Sequence, residues 1–375
     1  MKIIFFANTD WYLFNFRLDL ARYLQNRGAE VVMMSPPGDY GMRFESEGFR
    51  WISLPMERRS LNLINEIRLL KLIIKIYTQE APDVVHNFTI KSVVYGGLAA
   101  QMAGIKTRIH AVTGLGHVFI NHSARAQILR FAVKYLLKLA LRGKNSSLIL
   151  QNPDDRQLFS DHKLIASDHI HLIKGSGVDT NRFVPVKRKN ASTFKVLLAS
   201  RLLWEKGIKE YVEAAALLAH RAGELEFLLA GASDPGNPSS IPEADIREWQ
   251  CSGLVKILGH VDDMHQLMSD VDLMVLPSHR EGVPRGLIEA ASMGLPIITT
   301  DVPGCREIVD DGVNGILVPV GDTVALSEGI EYLLDNPQVC IEFGKAGRKT
   351  VISEFDQDII FHQTWNVYVS LGLDE

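Results

Sequence analysis

LPSHREGVPRGLIEAASMGLP, Leu276–Pro296, reads as the end of an apolar strand, a polar loop and the start of a helix. Leu276 closes the strand, Glu281 stands in the loop, and Pro284 occupies a first helical turn, where its fixed φ is suitable and its missing N–H costs nothing. Glu289 follows one turn further on. A helix amino terminus presents unpaired N–H groups and a partial positive charge, which suits a diphosphate. Two acceptor-only carboxylates flanking that point could hold sugar hydroxyls. Taken alone, the pair also fits a helix that merely carries acidic residues near its start.

The second informative stretch is VLLASRLLWEKG, Val196–Gly207, where Arg201 and Lys206 directly follow an apolar run. Two cations at a strand end can neutralise charge growing on a diphosphate leaving group, although a solvated basic loop looks much the same.

Around these stretches the chain alternates strand and helix throughout. Apolar β-type runs stand at Ile3–Ala7, Val31–Met34, Trp51–Leu54, Asp83–His86, Arg108–Val112 and Leu148–Leu150. They recur at Phe194–Ala199, Glu226–Ala230, Leu254–Leu258, Asp272–Leu276, Pro296–Thr299 and Gly315–Val318. Helix-length amphipathic segments such as Asn62–Gln79 lie between them. This predicts an α/β protein with two doubly wound parallel sheets, each covered on both faces, in which ligands bind beyond the carboxyl ends of the strands.

The 375 residues suffice for two domains, and 46% hydrophobic with 22% charged residues is globular composition. Residues 1–186 carry 24 Lys and Arg against 15 Asp and Glu, a balance of +9; the rest carry 16 against 29, or −13. That change of sign, with the polar stretch Pro185–Thr193, predicts an amino-terminal domain over 1–186 and a second over 194–354. Three cysteines without metal-like spacing, and a start MKIIFFAN too short for a signal peptide, suit a reducing cytoplasm. No apolar run reaches the roughly 18 residues that a spanning helix needs, so membrane contact is expected to be peripheral.

In this order the segments resemble the retaining glycosyltransferases of family four with the GT-B fold, over nearly the whole chain. Carrying the likeness are Glu281-x7-Glu289, Arg201 with Lys206-Gly207, Gly231 closing FLLAG, the turn GVDTNRF (Gly177–Phe183), ILGHVDD, and GLPIITTDVPGCREIVDDGVNGILV. ANTDWYLFNFR (Ala7–Arg17), HNFTIKSVVYG (His86–Gly96) and VTGLGHVF (Val112–Phe119) are similar to the subgroup acting on polyprenyl-diphosphate-linked saccharides in bacterial surface polysaccharide and glycan assembly.

The resemblance implies a nucleotide-sugar donor, a UDP-hexose or UDP-N-acetylhexosamine, bound by the second domain. It implies that Glu289 holds the donor ribose, Glu281 the transferred sugar, and Arg201 with Lys206 the diphosphate; Gly231, Leu287 and the N–H groups of Arg285 and Gly286 complete the donor site. A polyprenyl-diphosphate-linked saccharide would lie on the first domain at Thr9, Asn15, Arg17, His86, Lys91, Thr113 and His117. Many relatives carry a His where this chain has Thr113 and Gly114, with His110 and His117 close by, so His117 is either the sugar-facing residue or a shaper of the acceptor loop. Residues 355–375 are expected to form a helix crossing back to the first domain. Neither metal nor other cofactor is implied.

Asp270-x-Asp272 imitates a metal-binding pair but opens an apolar strand, and His169-x-His171 lacks a third partner. No GxGxxG follows the first strand, and no nucleic-acid-binding motif accompanies a basic surface. Finally, Ser123–Asn145 holds six Lys and Arg and no acid; Arg130, Lys134, Lys138 and Arg142 recur every four positions along one helical face. Like charges so placed repel, which an anionic membrane surface would relieve. The expectation is a glycosyltransferase peripheral on the cytoplasmic face of the inner membrane; a nucleotide-sugar epimerase or hydrolase on the same frame is the alternative.

Overall fold

KIIFF forms strand β1, Lys2–Phe6, and Ile3 to Phe6 have no exposed surface. Both faces are covered because successive side chains point to opposite sides of a strand. Ile3 and Phe5 pack under the helix Asp10–Gln25, through Leu13, Leu20 and Leu24. Ile4 and Phe6 pack under the helix Leu63–Glu80, through Leu69, Ile73 and Tyr77. Truncating one such buried Phe to Ala costs about 3 to 5 kcal/mol.

This computed structural model describes residues 1–57, 62–114, 124–186 and 193–373. The first sheet continues with β2 (Glu30–Ser35), β3 (Arg50–Ser53), β4 (Val84–Phe88), β5 (Thr107–Val112), β6 (Ser146–Leu150) and β7 (Ile170–Leu172). All pairs are parallel, in the order β3-β2-β1-β4-β5-β6-β7. The second sheet comprises β8 (Phe194–Ala199), β9 (Leu225–Ala230), β10 (Lys256–Gly259), β11 (Leu273–Leu276), β12 (Ile297–Thr300) and β13 (Ile316–Val318). It too is parallel, in the order β10-β9-β8-β11-β12-β13. Winding reverses between β1 and β4 and again between β8 and β11, and beyond the carboxyl ends of such neighbours a ligand crevice opens.

β7 was not anticipated. It is a three-residue edge strand inside HIHLIKG, and His169, just before it, uses Nδ1 to donate to the Ser146 carbonyl at 2.9 Å. Asp272 likewise has a structural duty, as its carboxylate accepts from Lys195 N–H at 2.9 Å and joins β8 to β11.

Contacts divide the chain into Met1–Ser176 with Ile360–Glu375, and Gly177–Ile359. The division therefore falls earlier than residue 186. The turn Gly177–Phe183 is held in the second unit because Val178 N–H donates to Phe355 O at 3.0 Å and the Arg348 guanidinium donates to the Thr180 and Phe183 carbonyls at 2.9 and 2.6 Å. In the helix Gln357–Ser370, Ile360, Phe361, Val367 and Tyr368 enter the core of the first unit beside Phe5. The basic helix runs Ala124–Ala140, so Arg142 lies past its end rather than on its face.

Candidate active site

In the second unit, the residues singled out by the motif arise from the two loops that follow β8 and β11. Close backbone approach explains two glycines, Gly207 where these loops meet and Gly231 where the chain after β9 meets the loop after β8. Gly207 has φ +71, and a Cβ there would stand 2.0 Å from Pro277 O; Gly231 has φ +152, and a Cβ would stand 1.8 Å from Ser200 O. Neither position accepts a side chain. Ser278 Oγ and His279 N–H both donate to Glu205 O at 2.9 Å, which ties the two loops together. His279 Nε2 lies 2.8 Å from Glu210 Oε1; that hydrogen bond holds the imidazole above its ordinary pKa.

Within this frame Lys206 Nζ donates to Glu281 Oε1 at 2.5 Å, with the two side chains only 16% and 10% exposed. An ammonium has three donors and a carboxylate two oxygens, so each retains capacity after the pair forms. Arg201, on the same loop as Lys206, donates to Asp234 Oδ2 at 2.7 Å, and Asn237 Nδ2 supports that carboxylate at 2.9 Å. Pro284 precedes the helix Arg285–Ser292, in whose first turn the N–H groups of Arg285 and Gly286 have no intrahelical acceptor. Leu287 is fully buried and anchors that turn. Glu289 is buried on the same helix, with Arg285 Nε donating to its Oε1 at 2.8 Å. Burial pushes the Glu289 carboxyl above its ordinary pKa, with Arg285 opposing.

In the first unit, Arg17, His86 and Thr113 meet. They line a cavity of about 10 Å³ with Gln151, Gly175 and Thr364, room for about one water. Arg17 is buried, lies 4.7 Å over the Phe88 ring, and donates through Nε and Nη2 to Tyr12 OH at 3.1 and 2.8 Å. His86 stacks on Phe88, and its Nδ1 lies 2.8 Å from Tyr368 OH. Burial, then Arg17 and His110, hold the His86 imidazole well below its ordinary pKa, so it is neutral; its buried Nε2 has no partner among the described residues. Just after β4, Thr89 adopts φ +72 and ψ +153, a region open essentially to glycine, which marks a local strain of order 1 to 3 kcal/mol beside this cavity.

Three other expected acceptor residues stand apart from the cavity. Thr9 caps the helix Asp10–Gln25 by accepting from Tyr12 N–H at 3.1 Å, and Asn15 Nδ2 donates to Trp11 O at 2.9 Å. Lys91 Nζ is committed to Glu57 O at 2.6 Å and Glu66 Oε1 at 2.9 Å. His110 is sealed at 0% exposure with Nδ1 3.3 Å from Asn87 Nδ2, and burial lowers its pKa to about 3. His117 lies outside the described residues. Asp234 and Tyr368 were missed, since each gains meaning only from a partner distant in sequence. Among the described residues no three metal-ligating side chains cluster, and no helix is long and apolar enough to cross a membrane.

Comparison with known proteins matches both halves. Residues 2–152 fit the family model for Glycosyl transferase 4-like, and residues 193–336 that for Glycosyl transferases group 1. The N,N'-diacetylbacillosaminyl-diphospho-undecaprenol alpha-1,3-N-acetylgalactosaminyltransferase of Campylobacter jejuni is 28% identical over 380 residues, with 98% of each chain covered. The UDP-Gal:alpha-D-GlcNAc-diphosphoundecaprenol alpha-1,3-galactosyltransferase of Escherichia coli is 23% identical over 322 residues, covering 83% of this chain and 81% of that one. Among solved structures, Anabaena HepE in complex with UDP-glucose superposes with a TM-score of 0.79 at 21% identity, over 99% of this chain and 100% of that one, a likeness of fold. With a 4-like domain followed by a group 1 domain, each on its own parallel sheet, the chain is a glycosyltransferase of the GT-B fold.

Proposed function

We propose that the chain moves a hexose or N-acetylhexosamine, with retention, from a UDP-sugar to a polyprenyl-diphosphate-linked saccharide in surface polysaccharide or glycan assembly. The observation that carries this reading is the Lys206–Glu281 pair beside the amino terminus of the helix Arg285–Ser292. In the proposed complex the N–H groups of Arg285 and Gly286, with Arg201 and the remaining donors of Lys206, hold the diphosphate and oppose the charge that grows as the sugar leaves. Glu281 keeps one oxygen on Lys206 and accepts from a hydroxyl of the transferred sugar with the other. Glu289 accepts from the ribose. Arg17, His86 and Thr113 face the acceptor on the first unit. No resident metal enters the proposal.

The relatives from Campylobacter jejuni and Escherichia coli support the acceptor class, since both are named for undecaprenyl-diphosphate saccharides. HepE with bound UDP-glucose supports the donor class. A peripheral position on the cytoplasmic face of the membrane is part of the proposal. It draws support from Phe131 and Tyr135, which are 76% and 59% exposed on the basic helix.

Incubation with a panel of UDP-sugars, with and without polyprenyl-diphosphate saccharides, tests the proposal. Sugar transfer that requires the lipid-linked saccharide is the expected result. UDP release or sugar interconversion without an acceptor would instead favour the epimerase or hydrolase reading.

A further inference from the structure

Behind the basic helix lies a groove of about 790 Å³, formed between the end of that helix and the loop before β7. Its volume is that of a small-molecule site. Leu139, Leu164 and Ile165 give it an apolar floor, while Lys138, Arg142 and Lys163 surround it; no Asp or Glu lines it. Those three cations enter no ion pair among the described residues. Asp168, on the same loop, is 80% exposed and lies 3.9 Å from His169 Nε2. Lys163 also stands at φ +48, at a helix end where glycine is the unstrained choice. Exposed Tyr135 at the mouth and Phe131 one turn before it add interfacial aromatic surface.

An apolar floor ringed by unpaired cations complements an amphiphile with an anionic head. We propose that this groove binds one anionic phospholipid of the bilayer, with its phosphate between Lys138, Arg142 and Lys163 and an acyl chain along the floor. The lipid-linked acceptor does not meet the geometry. Gly143 and Lys163–His169 precede β6 and β7, so the groove lies at the amino-terminal edge of the sheet, whereas Thr113, Gln151 and Gly175 follow the carboxyl ends of the strands. A five-residue strand spans about 16 Å, which separates the groove from any diphosphate carrying the reacting sugar. The source of the ligand rests on the membrane-peripheral reading above; the site itself does not.

Titration calorimetry of the full chain with dioctanoyl phosphatidylglycerol below its micellar concentration tests the proposal. Saturable binding of one lipid is expected, at least tenfold tighter than binding of dioctanoyl phosphatidylcholine, glycerol phosphate or inorganic phosphate. Ala166→Trp fills the exposed loop side of the groove without altering charge and is expected to weaken the lipid at least tenfold while leaving UDP binding intact. Lys163→Gly relieves the positive φ, so it should fold at least as well as wild type and yet bind the lipid several-fold more weakly. Unchanged lipid affinity in Ala166→Trp, or glycerol phosphate binding as tightly as the lipid, would overturn the proposal. Failure of the membrane reading looks different: the soluble lipid would bind normally while the protein ignored phosphatidylglycerol vesicles.

Discussion

Lys206 and Glu281 are 75 residues apart in the chain, yet the ammonium of one lies 2.5 Å from the carboxylate of the other. The pair fixes a cation and an acceptor at one point between two loops, before any donor arrives. Preorganised charge of this kind acts mainly in the transition state.

Arg201→Ala and Lys206→Ala are each expected to lower kcat at saturating donor by about 100-fold or more, because each cation opposes charge that is larger in the transition state than in the bound sugar nucleotide. Lys206→Ala also leaves the Glu281 carboxylate nearly buried without its counter-charge, at a cost of about 2 to 4 kcal/mol. Adding Glu281→Gln should restore part of that stability but none of the turnover. Steady-state kinetics beside urea denaturation separate the two effects; unchanged kcat in both alanine variants removes the cations from catalysis.

For Glu289 the prediction concerns the nucleotide. Glu289→Gln should weaken UDP by about 1.5 to 3 kcal/mol, tenfold to over a hundredfold, whereas Glu281→Gln spares UDP and impairs the sugar. Because burial raises the Glu289 pKa, its ionised form is disfavoured in the fold. The stability it contributes is therefore present below the ordinary carboxylate range and lost as pH rises through the raised value. Glu289→Gln should accordingly be the more stable protein at neutral pH, with the difference closing in acid. Calorimetry with UDP and pH-dependent unfolding check both statements, and equal UDP losses in the two variants would show the division of roles to be wrong.

His86 and His110 give the first unit an acid limit. Both are buried and held neutral, with pKa values well below the ordinary one for His86 and about 3 for His110. In the unfolded chain each titrates near 6.5, so their stability is full above that value and is lost as pH falls from about 6.5 toward the folded pKa. At pH 5.5 each costs about 1.4 kcal/mol relative to pH 7.5. His110→Gln should remove about half of the combined loss. Urea midpoints at the two pH values measure it; an unchanged pH slope in the variant would contradict the assignment.

How far the sequence carries depends on how local the cause is. Twelve strands were legible, most of them because buried parallel strands are continuous apolar runs, as in KIIFF and Val196–Leu198. Strand β7 was hidden because its three residues IHL carry a polar side chain at the centre and leave no apolar run, unlike the equally short ILV of β13. Motif spacing found Glu281, Glu289 and Lys206, but not that Lys206 and Glu281 touch. His86 was found in HNFTIK, while its partner Tyr368 comes from 282 residues away and is brought there only by the returning carboxy-terminal helix. The domain division was misread because charge and polarity mark composition, whereas the carbonyls of Thr180 and Phe183 are captured by Arg348.

The basic helix makes the last prediction, since it separates adsorption to a membrane from a merely solvated face. Its cations are not equivalent. Lys134 Nζ lies 2.6 Å from His162 Nε2 and is half-buried, and desolvation followed by Arg130 lowers its pKa. Lys138 and Arg142 border the groove, the second beyond the helix end. With surface cations contributing about 1 kcal/mol each near anionic lipid, co-sedimentation with phosphatidylglycerol vesicles should be strong at 0.01 M salt. It should weaken as the Debye length contracts from about 30 Å to about 8 Å at 0.15 M. Replacing Arg130, Lys134, Lys138 and Arg142 together by Gln should abolish sedimentation and leave UDP affinity unchanged, because the residues proposed to hold the donor belong to the other unit. Restoring Lys138 and Arg142 alone should recover more binding than restoring Arg130 and Lys134, one of which is already engaged by His162. Should the fourfold variant sediment as well as wild type, these four charges play no part in adsorption to a membrane.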